Sequence, residues 1–182
     1  MSDGPLIRYP IIQHAFFVND LEEAARKWTR LTGAGPFFIT PHHMGDKHLY
    51  RGNEMTADVG YAFGQHGPTH VQFICQYDDE PSIYRDMYGR GEEGFHHIGC
   101  LVPDPFEEAK RYERLGFPTA SSLWSLADVV YIDTRPALGC FLELHGDTPE
   151  IRDVFKRFED AARGWDGVTE PIRGNRGQQL DR

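Results

Sequence analysis

Apolar and polar positions follow two different periods along the chain. IIQHAFFV, THVQFICQ, FHHIGCLV and CFLELHG are short apolar runs with polar residues set into them, which predicts strands. Between them the period lengthens. Leu21, Ala24, Ala25, Trp28 and Leu31 recur at helical spacing behind a capping Asp20, and Gly33 stops the pattern. Asp104 and Pro105 open a second helix that ends at Gly116, Pro being tolerated in a first turn where no amide hydrogen bond is lost. A third starts at Thr148-Pro149 and carries Ile151, Val154, Phe155, Phe158 and Ala162 on one face, as expected of a helix that closes a sheet.

The pattern occurs twice. HAFFVNDLEEAARKWTRLTG, opening at His14, parallels HIGCLVPDPFEEAKRYERLG, opening at His97. HVQFICQ around Gln72 and CFLELHG around Glu143 close the two copies, 58 and 46 residues after their histidines. This predicts an α+β chain of two βαβββ modules, 8–80 and 94–147, followed by a closing helix at 148–165 and a polar tail at 166–182, all in one domain. The tail reads as flexible or as an arm on a neighbour. The joining segment YDDEPSIYRDMYGRGEEGF reads as an exposed crossover, partly helical from Pro81. TPHHMGDKHLYRGNEMTAD is long for a connection and is expected to border a ligand site.

Composition narrows the function. With 28 acidic against 19 basic residues the formal charge is −9, and no Lys/Arg-rich run exists, so a nucleic-acid partner is not expected. Neither a signal peptide nor a membrane span is readable, and a cytoplasmic protein is the expectation. Cys75, Cys100 and Cys140 lie in apolar runs without CxxC spacing and read as buried thiols.

Strand parity then selects candidate chemistry. Alternation groups His14 with Ile12, Phe16 and Val18, and His97 with Phe95 and Leu101, while His96 points the other way. With Gln72 and Glu143 at the centres of their strands, His14, Gln72, His97 and Glu143 converge if the modules pair. Two imidazoles, an amide oxygen and a carboxylate suit one divalent ion: Mn, Co, Ni, Zn, Mg or Fe(II). An ionised Glu143 inside an apolar strand also calls for a cation.

The paired modules with FHHIGCLV and FLEL resemble the vicinal oxygen chelate superfamily of glyoxalase I, methylmalonyl-CoA epimerases, extradiol dioxygenases and bleomycin-resistance proteins. THVQF followed by GEEGFHHIGCLV is most similar to the methylmalonyl-CoA epimerases, over roughly positions 10 to 146. The resemblance implies a cupped eight-stranded sheet around a metal held by His14, Gln72, His97 and Glu143, and a homodimer. It implies proton transfer beside a metal-bound carbonyl of a small-molecule substrate, by a glyoxalase- or epimerase-like isomerase or a lyase. It also calls for a general-base glutamate where this chain has Gly60. Asp58, on the same face as Gly60, and Tyr131, at the equivalent place in the second module, are candidates for the missing acid or base, as are Glu143, His42 and His43. A strand-start cap and a pocket-lining ring are equally open readings of Asp58 and Tyr131. Tyr61, Trp124 and Tyr131, with Phe37, Phe38 and Tyr50, are expected near a substrate cavity. An Fe(II) dioxygenase using His14, His97 and Glu143, and a binding protein without chemistry, are the alternatives.

Overall fold

The structure is a computed structural model that describes residues 4–43 and 46–174. In chain order the elements are β1 (Gln13–Phe17), α1 (Leu21–Thr32), β2 (Phe37–His43), β3 (Asp46–Tyr50), β4 (Asn53–Glu54), β5 (Val59–His66), β6 (Thr69–Gln76), β7 (Gly94–Val102), α2 (Pro105–Arg114), β8 (Thr119–Trp124), β9 (Asp128–Ile132), α3 (Arg135–Leu138), β10 (Phe141–Gly146), α4 (Pro149–Ala162) and β11 (Ile172–Gly174). Helix starts follow the chemistry of the sequence. The carboxylates of Asp20 and Asp104 accept from the amides of Glu23 and Glu107, and the Thr148 hydroxyl accepts from Ile151. Gly33 ends α1 in the left-handed conformation, its amide returning to the Thr29 carbonyl. Leu31, placed on the apolar face by spacing, is instead exposed, and Leu21, Ala25 and Thr29 form the buried stripe of α1.

The strands form one open sheet in the order β11-β2-β5-β6-β1-β7-β10-β9-β8-β3-β4. Its central eight strands are two copies of the predicted module. β1 pairs parallel with β6 in the first, β7 pairs parallel with β10 in the second, and β1 joins β7 antiparallel between them. Among the described residues eleven strands form where eight were expected. The long segment after β2 contains the β3-β4 hairpin, which pairs with β8 of the other module. The tail supplies β11, parallel to β2, so its described part lies on the chain's own sheet, and 175–182 fall outside the described residues.

Helices α1 and α2 cover one face, over separate cores. Val18, Leu21, Ala25, Phe37, Val71 and Phe73 pack under α1, and Ile98, Val102, Ala109, Tyr112, Val130 and Leu142 under α2. Cys75, Cys100 and Cys140 are free, buried thiols in these cores. On the other face a third core joins both modules through Phe17, Tyr61, Ile74, Tyr131 and Phe141. Ile83 and Tyr84 of the joining segment, both fully buried, belong to it. The segment is exposed at both ends, as expected of a crossover, but its middle, Ser82, Ile83 and Tyr84, is buried, and turns rather than a helix follow Pro81 because its apolar pair is drawn into the inner core.

Candidate functional site

A cavity of about 450 Å³ lies between the inner face of the sheet and α4. Its floor carries Gln13, Gln72 and Glu143, its walls Tyr61, Phe63, Val129 and Tyr131, and its roof Ile151, Val154, Phe155 and Phe158 of α4. The helix expected from Thr148-Pro149 is thus α4, which lies over the sheet as the roof of this cavity. Phe158 is wedged among Phe38, Phe63 and His70, which fixes the roof to the first module.

Four polar atoms meet at the floor. Gln13 Nε2 donates to Gln72 Oε1 at 2.8 Å and to Glu143 Oε2 at 3.2 Å, and stands 3.3 Å from His97 Nε2, which is 2.8 Å from Glu143 Oε2. The Tyr131 hydroxyl donates to the same Glu143 oxygen at 3.1 Å. Gln13 Oε1 pairs with His70 Nδ1 at 2.6 Å, while His70 Nε2 is buried without a partner beside Phe155 and Phe158. Gly99, opposite Gln13 in the ladder, makes room for this: a β-carbon there would lie 3.1 Å from Gln13 Cβ.

His14 is not among them. It lies on the helix-covered face with Phe16, near Phe95, and Gln13 takes the place assigned to it. The sequence does hold the correct register. Asp20 and Asp104 cap the two helices, and seven residues before each stand Gln13 and His97. Matching histidine to histidine slides the first copy by one residue, which in a strand exchanges the faces. A second displacement sits at His96, expected to point away from His97. The β1-β7 register shifts between Ala15 and Phe16, opposite a bulge at His96, and bulges re-aim side chains. His96 Nδ1 consequently lies 2.9 Å from His97 Nδ1, with its Nε2 3.1 Å from the Ile83 carbonyl.

The other candidates divide by the same parity. Tyr61 and Tyr131 line the cavity. Gly60 faces α1, where a β-carbon would strike the Pro41 carbonyl and come within 2.5 Å of the Tyr77 hydroxyl, so no acid or base fits the slot. Asp58 is absent from the cavity wall, and its carboxylate lies 2.9 Å from Nδ1 of His42, which is on that wall. Trp124 is exposed at the end of β8, next to the inward Leu123. Phe37 is buried under α1, Phe38 packs on Phe158 and Tyr50 donates to Asp86. His42 and His43 both line the cavity, as expected of the long segment that holds them.

Burial sets the protonation of the site. It raises the pKa of Glu143, but hydrogen bonding and attraction from His97 more than offset this, so the carboxylate titrates below its ordinary range. Burial pushes Tyr131 well above 10 and Tyr61 up to about 12, which keeps both as hydroxyl donors at neutral pH. It lowers His70 to about 3 and His96 well below its ordinary value, so both stay neutral. A neutral His96 that donates Nε2–H to the Ile83 carbonyl accepts at Nδ1, so the Nδ1–H between the two rings belongs to His97.

The donor chemistry fits a divalent ion. Among the described residues no three His, Cys, Asp or Glu side chains converge, so the set rests on two amides beside His97 and Glu143. Ligand bonds of 2.0–2.1 Å in an octahedron place neighbouring donors about 3 Å apart. The four atoms here are 2.8–3.3 Å apart along the measured edges. Gln13 would present Oε1 by turning its amide over, with its NH2 then toward His70 Nδ1. Among the described residues no second imidazole joins His97 and Glu143 in one cluster, so the two-histidine, one-carboxylate set of an Fe(II) dioxygenase is not assembled there.

Solved structures share the fold. Methylmalonyl-CoA epimerase from Mycobacterium tuberculosis superposes with a TM-score of 0.56 at 15% identity, covering 84% of this chain and 97% of that one. A hypothetical protein from Bacillus halodurans C-125 gives 0.56 at 16% identity, over 78% and 96%. A methylmalonyl-CoA epimerase in complex with methylmalonyl-CoA and NH4+ gives 0.53 at 13%, over 78% and 96%. No curated protein sequence matches the chain, and among the described residues no helix is long and apolar enough to cross a membrane. The sequence profile of the Glyoxalase/Bleomycin resistance protein/Dioxygenase superfamily matches residues 12–127, and with the repeated modules paired through β1 and β7 the chain belongs to that superfamily.

Proposed function

We propose that this protein is a metal-dependent isomerase, epimerase or lyase that moves a proton at the carbon next to a carbonyl of a small organic substrate. The convergence of Gln13, Gln72, His97 and Glu143 on the cavity floor carries the reading. These four residues would hold the ion. Bound there, a divalent ion would polarise the carbonyl and stabilise the negative charge that develops as the proton leaves.

The chain's own residues do the rest. His42, with Nδ1 held by Asp58, offers Nε2 to take the proton from the substrate carbon. Asp58 thereby acts as a positioning residue from outside the cavity. Tyr61, held by the Tyr84 hydroxyl at 2.9 Å, supplies a donor to a substrate oxygen, and Tyr131, its proton given to Glu143, presents an acceptor oxygen beside it. The apolar face of α4 excludes water, which strengthens each of these polar interactions.

Metal analysis of the purified protein after incubation with Mn, Co, Ni, Zn, Mg or Fe(II), followed by proton NMR in heavy water over a panel of carbonyl compounds, tests this. One bound ion per chain and metal-dependent exchange of the α-proton are expected. A protein that stays metal-free on reconstitution, or exchange indifferent to metal, would sink the proposal. Ligand binding that survives Glu143→Ala without any exchange would make the protein a binder instead.

A further inference from the structure

The charge and shape of the cavity select among carbonyl compounds. Among the described residues its lining includes neither lysine nor arginine, its one carboxylate is Glu143, and its other ionisable side chains are His42, His43, His145, Tyr61 and Tyr131. Lys47 and Arg51, the cations of the segment between β2 and β5, are both off the wall. Arg51 is committed to Asp86 at 2.5 Å and Asp133 at 3.5 Å. Arg135 is likewise held by Asp133 at 2.7 Å. On the roof helix, Arg152 pairs with Asp147, Lys156 with Asp160 and Arg163 with Glu159, and Arg157 lies over the rings of Phe38 and Phe158, off the cavity wall. With a net charge of −9 around it, an anion entering this space meets, beyond the ion proposed for the floor, no lysine or arginine among the described residues of the wall.

The apolar lining has a direction. Phe63 on the sheet and Phe155 and Phe158 on α4 present rings, Phe63 and Phe158 being nearly parallel at 5.8 Å, and Leu123, Val129 and Val154 fill between. Such walls favour a flat or ring-shaped apolar body with its polar end toward Gln13 and Glu143. We propose that the substrate is a small, uncharged carbonyl compound bearing an aromatic or alicyclic ring, and that the cavity turns away the same reacting group on an anionic, phosphate-bearing carrier. This rests on the reaction class proposed above and sharpens it. It also separates this chain from the solved neighbour that binds methylmalonyl-CoA.

One acyl group on two carriers tests the point: the 2-phenylpropanoyl thioester of uncharged N-acetylcysteamine against that of coenzyme A. With the metal-reconstituted protein, α-deuterium exchange is followed by NMR and binding by calorimetry. The neutral thioester should exceed the coenzyme A thioester at least tenfold in kcat/KM and in affinity, and Ser125→Lys, which sets a cation on the wall, should narrow that ratio several-fold. If neither exchanges but the neutral one binds tenfold tighter, the reaction class falls and the substrate class stands. If the coenzyme A thioester exchanges as well or better, the substrate class falls and the reaction class stands. A neutral thioester that does not bind at millimolar concentration, or a ratio unmoved by Ser125→Lys, also overturns the inference.

Discussion

Exchanging the amide at position 13 for an alkyl group tests the register of the first strand and the construction of the floor together. Gln13→Leu keeps most of the side-chain volume and removes the group that binds Gln72 Oε1, Glu143 Oε2 and His70 Nδ1. Glu143 keeps Tyr131 and His97. Gln72 Oε1 and His70 Nδ1 lose these bonds in a buried place, where an unsatisfied polar group costs about 1–3 kcal/mol, for a total of roughly 2–6 kcal/mol. His14→Leu, one residue along, acts on the half-exposed outer face near Phe95 and should change stability by less than about 1 kcal/mol. Urea unfolding of the two variants beside the parent, monitored by circular dichroism, gives the comparison, and equal m-values would show that the unfolded states match. If His14→Leu cost as much as Gln13→Leu, the assignment of faces, and with it the site, would be wrong.

Three further outcomes follow from the same geometry. Gly99→Ala brings a β-carbon to 3.1 Å from Gln13 Cβ, so it should destabilise by about 1 kcal/mol and weaken metal binding measured by titration calorimetry, while fold content by circular dichroism stays unchanged. Asp58→Asn removes the charge that holds His42 Nδ1, and should lower kcat by about 10- to 100-fold with KM and metal content little changed; His42→Gln should be at least as slow. His48 is buried and neutral, its pKa lowered to about 4 by burial and by repulsion from His43. Because the unfolded chain takes up that proton near pH 6.5 and the folded one near 4, stability is intact above 6.5. It should then fall by up to about 1.4 kcal/mol per pH unit between those values, a slope that denaturation of His48→Leu should show flattened.

Much of this molecule is legible in its sequence, and the parts that are not fail for identifiable reasons. The module repeat, the caps at Asp20, Asp104 and Thr148 and the roof helix are local patterns, and all three sets are read from spacing alone. The central eight strands follow from the repeat. β3, β4 and β11 do not, because Asp46–Tyr50, Asn53–Glu54 and Ile172–Gly174 lack a clean apolar alternation and are strands only through their partners, β8 for β3, β3 for β4 and β2 for β11. Gln72 and Glu143 are legible because β6 and β10 keep an unbroken register around them, and His97 because it lies on the regular side of the β7 bulge, opposite Ala15. Histidine is the more conspicuous ligand type and draws the reading to His14, although the distance to the helix cap favours Gln13. A bulge such as the one that brings His96 beside His97 leaves no trace in an apolar run, and parity arguments fail wherever one occurs. Asp58 and Trp124 fall on the outer face by the same one-residue sensitivity. The bonds of Asp58 to His42 and of His70 to Gln13 join strands distant in sequence, and only the assembled sheet reveals them.

The central claim is that Gln13, Gln72, His97 and Glu143 form one metal site on the cavity floor, and cobalt(II) titration followed by visible absorption tests it most directly. The parent protein should take up one Co(II) per chain with d–d bands of a nitrogen- and oxygen-coordinated ion, and His14→Leu should do the same with unchanged spectrum and affinity. Gln13→Leu should bind at least tenfold more weakly and Glu143→Ala should not bind. Loss of the spectrum in His14→Leu, or its persistence in Glu143→Ala, would contradict the account.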